Sequence, residues 1–317
     1  MSSSPASPAP ASETRNALIA ATVCYTAWGV FPLLFMAMAR TGFTAGEILA
    51  HRALWALLFA TILVVASGQF AQARRVLTTP ATLGWLALST TMILINWAAY
   101  VWATTRHHTL EASLGYYINP LLNMVAGMVL FRERIDRWGW VAIGMAAIGV
   151  VLQTLALGRA PWLSILIALS FAAYGVIRKK VAADAQTGLF VECLLMIPFG
   201  AALLIWLGHA GQAVGFASPA HWAWSISSGL ATVLPLALFA WSARRLPLST
   251  IGFLQFLAPT LQFAIGVASG EALTPLRIAS FVFIWTGAGV FAFSALWKKR
   301  AERLAIKTTV DATGRQA

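Results

Sequence analysis

The sequence predicts an all-α polytopic membrane protein of ten transmembrane helices, arranged as two inverted-topology five-helix repeats. Three observations carry this expectation. The 317 residues are 59% hydrophobic and only 10% charged, with a mean hydropathy of +0.76; soluble domains carry about 25% charged residues. The apolar residues fall into ten stretches, each near the roughly 20 residues that a helix needs to cross a bilayer. Landmarks also recur at a nearly constant offset: Glu47 and Glu192 lie 145 apart, Trp28-Gly29-Val30 and Tyr174-Gly175-Val176 lie 146 apart, Trp102 and Trp241 (each with Arg four residues on) and Pro120 and Pro259 lie 139 apart, and Glu133 and Glu271 lie 138 apart. Each match alone is weak; the shared offset is the repeat signal. Five spans per half is an odd number, so the second half enters the bilayer from the opposite side.

The elements follow in order. Residues 1–15 are rich in Ser, Ala and Pro and lack an apolar run. They read as a disordered cytoplasmic tail, not a cleaved signal, which would need a charged start and then an apolar core. The ten stretches are about 16–38, 47–67, 82–103, 110–131, 138–157, 161–177, 188–208, 220–243, 248–269 and 278–297. They lack the alternation of barrel strands, so helices are expected. The first repeat covers 16–157 and the second 161–297, and 298–317 form a basic cytoplasmic tail that frays into solution. Orientation follows from Lys and Arg. With the N-terminus in the cytoplasm, the cytoplasmic segments hold 17 basic residues and the outer loops four, leaving Arg52 inside a span. Both termini are then cytoplasmic, and the bilayer is the first partner.

The net charge of +12 does not indicate nucleic acid, because the basic residues form short clusters between apolar runs rather than one surface. Cys24 and Cys193 lie inside apolar stretches, so no disulfide framework is expected. His107 and His108 lack the companions of a metal site, and neither a metal nor a cofactor is expected.

Polar groups inside spans cost free energy and are the candidate functional residues. Span 2 carries Glu47, His51 and Arg52. Glu47 and His51 share a face at four-residue spacing. They suggest an anion or carboxylate site with His51 as proton carrier; interfacial snorkelling is the rival reading, for Glu192 as well. Span 3 carries Asn96 and Tyr100, which either line a cavity or join helices. Span 4 carries Asn119, Pro120 and Asn123, and span 9 carries Gln255, Pro259 and Gln262. Proline at equivalent places in the two halves predicts kinked helices with free backbone groups, tolerated only against protein or a wet cavity. Such pairs point to a site between the halves. Trp28 and Tyr174 are candidate gating aromatics. The Arg178-Lys179-Lys180 run reads as a topology signal.

At these residues the chain resembles a known family. The strings HHTLEASLGYYINPLLNMVAGMVLFRER (107–134), AYGVIRKK (173–180), AQTGLFVE (185–192) and LSTIGFLQFLAPT (248–260), with the His-Arg pair at 51–52 and Asn-Trp at 96–97, are similar to the RarD group of the EamA branch of the drug/metabolite transporter superfamily. The resemblance spans roughly 16–297. It implies ten helices in two inverted EamA repeats, a bacterial cytoplasmic membrane, and export or exchange of small metabolites or drugs. The group's name ties it to chloramphenicol sensitivity. The resemblance supplies no catalytic residues and fixes no coupling ion.

Together these readings favour a secondary transporter of small molecules working by alternating access, with protons as a candidate coupling ion. No GxxxxGK[ST] motif is present, so ATP is not expected to drive it directly. An intramembrane lipid-modifying enzyme would want clustered carboxylates or histidines, found only in span 2. A non-transporting regulator would not need duplicated kinked helices. The sequence specifies neither substrate, direction nor oligomeric state.

Overall fold

In the computed structural model, residues 11–131, 137–158, 160–243, 245–246 and 254–313 are described. They form eleven helices and no strand: α1 Ala11–Arg40, α2 Ala45–Ala66, α3 Phe70–Leu77, α4 Pro80–Thr105, α5 Thr109–Phe131, α6 Arg137–Leu157, α7 Trp162–Lys180, α8 Ala185–His209, α9 Pro219–Ala243, α10 Leu257–Ala268 and α11 Pro275–Thr313. Each apolar stretch coincides with a helix over its described residues. Six helices (α1, α2, α4, α6, α8 and α9) are long and apolar enough to cross a membrane. Large apolar side chains such as Val23, Ile62, Leu155, Ile205 and Phe293 face outward, as a bilayer environment requires.

Three boundaries differ from the sequence expectation. Helix α1 starts at Ala11, inside the segment expected to be disordered. Glu13 sits in its first turn, where a carboxylate suits the helix dipole. There it receives Arg245 Nε at 2.9 Å, and Arg245 also lies 4.3 Å over the Trp241 ring. Helix α3 was not anticipated: eight residues bury Ala73 and Val76 and leave Phe70, Arg74 and Arg75 exposed. Helix α11 runs on to Thr313 instead of fraying after Trp297, because the Ala, Glu, Lys, Arg and Leu of that segment are good helix formers.

The centre is built on small residues. Helix α2 buries Ala50, Ala53, Ala56 and Ala60 in one stripe, and between apolar helices such stripes let backbones approach closely. A Cβ on Gly200 of α8 would meet the Ala50 carbonyl at 3.3 Å. Helix α2 is thus clamped between α8 and α9. Helices α4 and α5 pack on α7, α1 packs on α9 and α10, α5 packs on α10, and α6 pairs extensively with α11.

Two carboxylates fix loops to helix ends. Thr44 Oγ1 accepts the Glu47 N–H at 3.1 Å as N-cap of α2. The Glu47 carboxylate accepts the Val214 and Gly215 amides at 2.7 and 2.6 Å. Glu271 accepts the Thr109 and Leu110 amides at 2.6 and 3.1 Å, capping the positive end of α5. Gly270, at φ 85°, makes the left-handed turn that aims Glu271 there.

Candidate functional site

A small chamber, about 90 Å³ in volume, lies among α1, α2, α4, α5, α7, α9 and α10. Aromatic rings make up much of its wall, with Arg52, Asn96, Thr232, Gln255 and Gln262 as polar groups.

Arg52 is 3% exposed. Its Nε donates to Thr232 Oγ1 at 3.1 Å, which in turn donates to the Ser228 carbonyl at 2.9 Å. The guanidinium carbon lies 4.2 Å over the Trp97 ring and 5.0 Å over Phe35. Desolvated cation–π contacts of this kind are worth about 2 kcal/mol. Among the described residues, no carboxylate lies within ion-pair distance of Arg52, and Nη1 has no hydrogen-bond partner. A buried guanidinium held by rings and one hydroxyl retains a positive field with nothing anionic to answer it.

The other polar groups join helices around the chamber. Tyr116 Oη donates to Asn96 Oδ1 at 2.9 Å, and Asn96 Nδ2 donates to the Ile167 carbonyl at 2.9 Å, tying α5, α4 and α7 together. Asn96 therefore both lines the cavity and joins helices. Pro32 inside α1 cannot donate to the carbonyl four residues earlier. That carbonyl is Trp28 O, and Gln262 Nε2 of α10 donates to it at 3.1 Å. A proline thus creates the acceptor that locks α1 to α10. Pro259 occupies the first turn of α10, next to the break in helix at Phe256, where a missing N–H costs little.

The structure gathers part of the expected set. Arg52, Asn96, Tyr100, Gln255, Gln262, Pro259 and Trp28 all line the chamber. Glu47 and His51 do not. Glu47 is committed to the 214–215 loop, and His51 lies 3.7 Å from it, packed edge-on against Phe43 and Phe216. Neither Glu47 nor Arg52 snorkels: both are buried, as is Glu192. Asn119 is fully buried away from the chamber, with no hydrogen-bond partner at either amide atom among the described residues. The side chains of Pro120 and Asn123 lie outside the described residues. Tyr174 donates to Glu192 at 3.3 Å rather than facing the cavity. Arg178, read as a topology signal, sits 3.7 Å from Glu192. Thr232, Tyr116, Trp97 and Phe31 were missed as lining residues. Only Trp97 and Tyr116 had a sequence cue, as neighbours of Asn96 and Asn119.

The buried Asn119 amide gives a direct test. Asn119→Leu is expected to leave chamber function intact and not lower thermal stability, since removing an unpaired buried polar group is close to neutral or favourable. A large fall in melting temperature would show that Asn119 has a partner among its neighbours.

The EamA-like transporter family model matches residues 15–155. Protein RarD of Salmonella typhi is 37% identical over 92% of this chain and 99% of its own length. The chain belongs to the RarD group of EamA-like transporters. A chloramphenicol-sensitive RarD protein of Pseudomonas aeruginosa is 31% identical over 81% of this chain and 88% of its own. A solved crystal structure shares the fold, with a TM-score of 0.57 and 18% identity over 88% of this chain and 98% of the other. Membership makes this RarD-type chain a multi-pass membrane transporter of the drug/metabolite class. Its bacterial relatives place it in the inner membrane.

Proposed function

We propose that this chain is a secondary transporter that moves small metabolites or drugs by alternating access, as exporter or exchanger. The bound substrate carries a carboxylate or other anionic group held by Arg52. The observation that carries this reading is the buried Arg52 guanidinium, without an anionic partner among the described residues, in a chamber lined by helices from both halves. Asn96, Tyr100, Gln255 and Gln262 supply polar contacts there, and Trp28 stands at the wall as a gating aromatic.

In this reading the halves are inverted five-helix repeats, 16–157 and 161–297. Matching α1, α2, α4, α5 and α6 to α7, α8, α9, α10 and α11 leaves α3 unpaired. Helix contacts then fall into exchanged partners. The α2–α9 contact answers α8–α4, α5–α7 answers α10–α1, and α4–α7 answers α9–α1. The α6–α11 interface repeats in detail: a Cβ on Gly149 would meet the Ser280 carbonyl at 3.0 Å, and one on Gly287 would meet the Ala142 carbonyl at 3.0 Å. Both glycine and partner are displaced by the same 138 residues. Such repeats rock about a site fixed between them.

Two experiments test this. Solid-supported-membrane recordings on proteoliposomes, with a panel of small aromatic and aliphatic carboxylates and with and without a pH gradient, should give substrate-dependent currents for part of the panel. A panel silent throughout, while uncharged solutes move, would remove the anionic assignment. For topology, cysteines at Arg74 and Lys180 should react with impermeant maleimide only from the cytoplasmic side, and cysteines at Arg106 and Gln212 only from outside. All four positions are exposed, and the two native thiols are buried. Labelling of Arg74 and Arg106 positions from one side would refute the ten-span inverted arrangement.

A further inference from the structure

Carboxylates inside the bundle have partners that differ in kind, and Glu111 meets the His108 ring at 3.0 Å. Glu47 accepts backbone amides of Val214 and Gly215, and Glu271 accepts those of Thr109 and Leu110. Backbone N–H groups can only donate. Glu192, on α8 and 2% exposed, is built differently. Ser89 Oγ of α4 donates to Oε1 at 2.6 Å, and Tyr174 Oη of α7 donates to Oε2 at 3.3 Å. A hydroxyl can donate or accept. Both partners therefore serve an ionised acid and, after rotating, a protonated one.

The cation beside it is loosely held. Arg178 Nε stands 3.7 Å from Glu192 Oε1, beyond a tight ion pair. Its Nη2 reaches the Asp184 and Ala185 carbonyls at 3.5 and 3.3 Å, and its buried Nη1 has no partner among the described residues. Arg178 thus spans the α7–α8 turn, the part of the protein that must change shape if α7 and α8 move relative to each other. It can leave Glu192 for the carbonyls it already touches. A Cβ on Gly188 would overlap this guanidinium, so the glycine keeps its seat open.

We propose that Glu192 is the proton-binding site of the carrier. A proton from water adds to the carboxylate, Ser89 or Tyr174 turns to accept from the new O–H, and Arg178 is released to the α7–α8 turn. Deprotonation restores the pair. The titratable and charged groups facing Glu192 are Arg178 and Tyr174 from α7, with Cys193 beside it on its own helix. Helix α4 contributes only the Ser89 hydroxyl. Among the described residues no ion pair reaches it from α2, α3 or α9, and Arg52 of α2 faces the chamber. The site communicates with the chamber through packing: Tyr174 lies 5.9 Å from the lining ring of Phe171 and shares a buried cluster with Trp97, the ring under Arg52.

The role rests on the secondary-transport reading, but the proton site has its own readout. Infrared spectra of the purified full chain in lipid, taken at acid and alkaline pH, should show a protonated-carboxyl C=O band on acidification. Glu192→Gln should lose one such component. Glu47→Gln should keep it, and Tyr174→Phe should keep the band but shift its frequency and midpoint. Proteoliposomes carrying Glu192→Gln should exchange carboxylates yet lose stimulation by a pH gradient. A Glu192→Gln spectrum identical to wild type, or gradient stimulation that survives the substitution, overturns the assignment. The two ideas fail separately: a titrating Glu192 band with no carboxylate current in any protein would sink the transport reading and leave the proton site standing.

Discussion

Replacing Arg52 with glutamine is expected to cut the apparent affinity for the transported carboxylate on the order of a hundredfold. Among the described lining residues the guanidinium is the one charged group. Losing a buried charge-assisted contact costs about 3 kcal/mol, and every 1.4 kcal/mol is about tenfold. The protein itself should not suffer. Glutamine removes a buried cation that no carboxylate compensates, and its amide can reach toward Thr232, so the melting temperature should hold or rise. Arg52→Lys refines the result. Lysine keeps the charge but loses the planar fork, the stacking on Trp97 and the geometry toward Thr232. Its apparent Km should rise about tenfold while the maximal rate stays near wild type, as expected for a residue that mainly contributes binding. If the glutamine variant transports like wild type, Arg52 is a structural cation and the anionic-substrate reading falls. Concentration dependence of the currents for the three proteins decides it.

The membrane class and the helix positions were legible because they rest on composition and run length, which survive without knowledge of packing. Half of the site was legible for a related reason. Arg52, Asn96, Gln255 and Gln262 are polar in otherwise apolar runs, and such residues need a reason to be there. What the sequence could not convey was where each polar group turns. Glu47 and His51 share a helix with Arg52, yet Glu47 faces a loop that begins some 167 residues later, and no local pattern encodes that partner. The snorkelling rule misled for Glu192, and the topology reading of Arg178 left out its carboxylate neighbour, because the approach of the two depends on how α7 and α8 pack. Thr232 was invisible since a threonine in an apolar helix commonly bonds its own backbone, which it also does here. The prolines were half read. Pro259 drew attention through its repeat partner, whereas Pro32, with no such partner, frees the Trp28 carbonyl that Gln262 takes.

Gly229 carries the largest structural prediction. It lies one turn before Thr232 on α9, facing the turn of α2 that follows Arg52. A Cβ built there would stand 2.5 Å from the Trp55 carbonyl carbon and 2.7 Å from the Ala56 nitrogen. These are backbone atoms, so no rotamer change relieves the contact, and the two helices must separate. Overpacking of this kind costs about 1–3 kcal/mol. The same separation draws Thr232 Oγ1 away from Arg52 Nε, now 3.1 Å apart, so the guanidinium loses its anchor. Gly229→Ala is therefore expected to lower the melting temperature by several degrees and to weaken carboxylate affinity in whatever protein remains folded. Gly84→Ala, on α4 with nothing within 4 Å of the added carbon, provides the control. There the better helix propensity of alanine should leave stability unchanged or slightly raised. Thermal unfolding of the two purified variants followed by size-exclusion fluorescence separates the cases: equal melting temperatures would mean that α2 and α9 do not approach as closely as the geometry requires, and the Arg52–Thr232 contact that organises the chamber would fall with it.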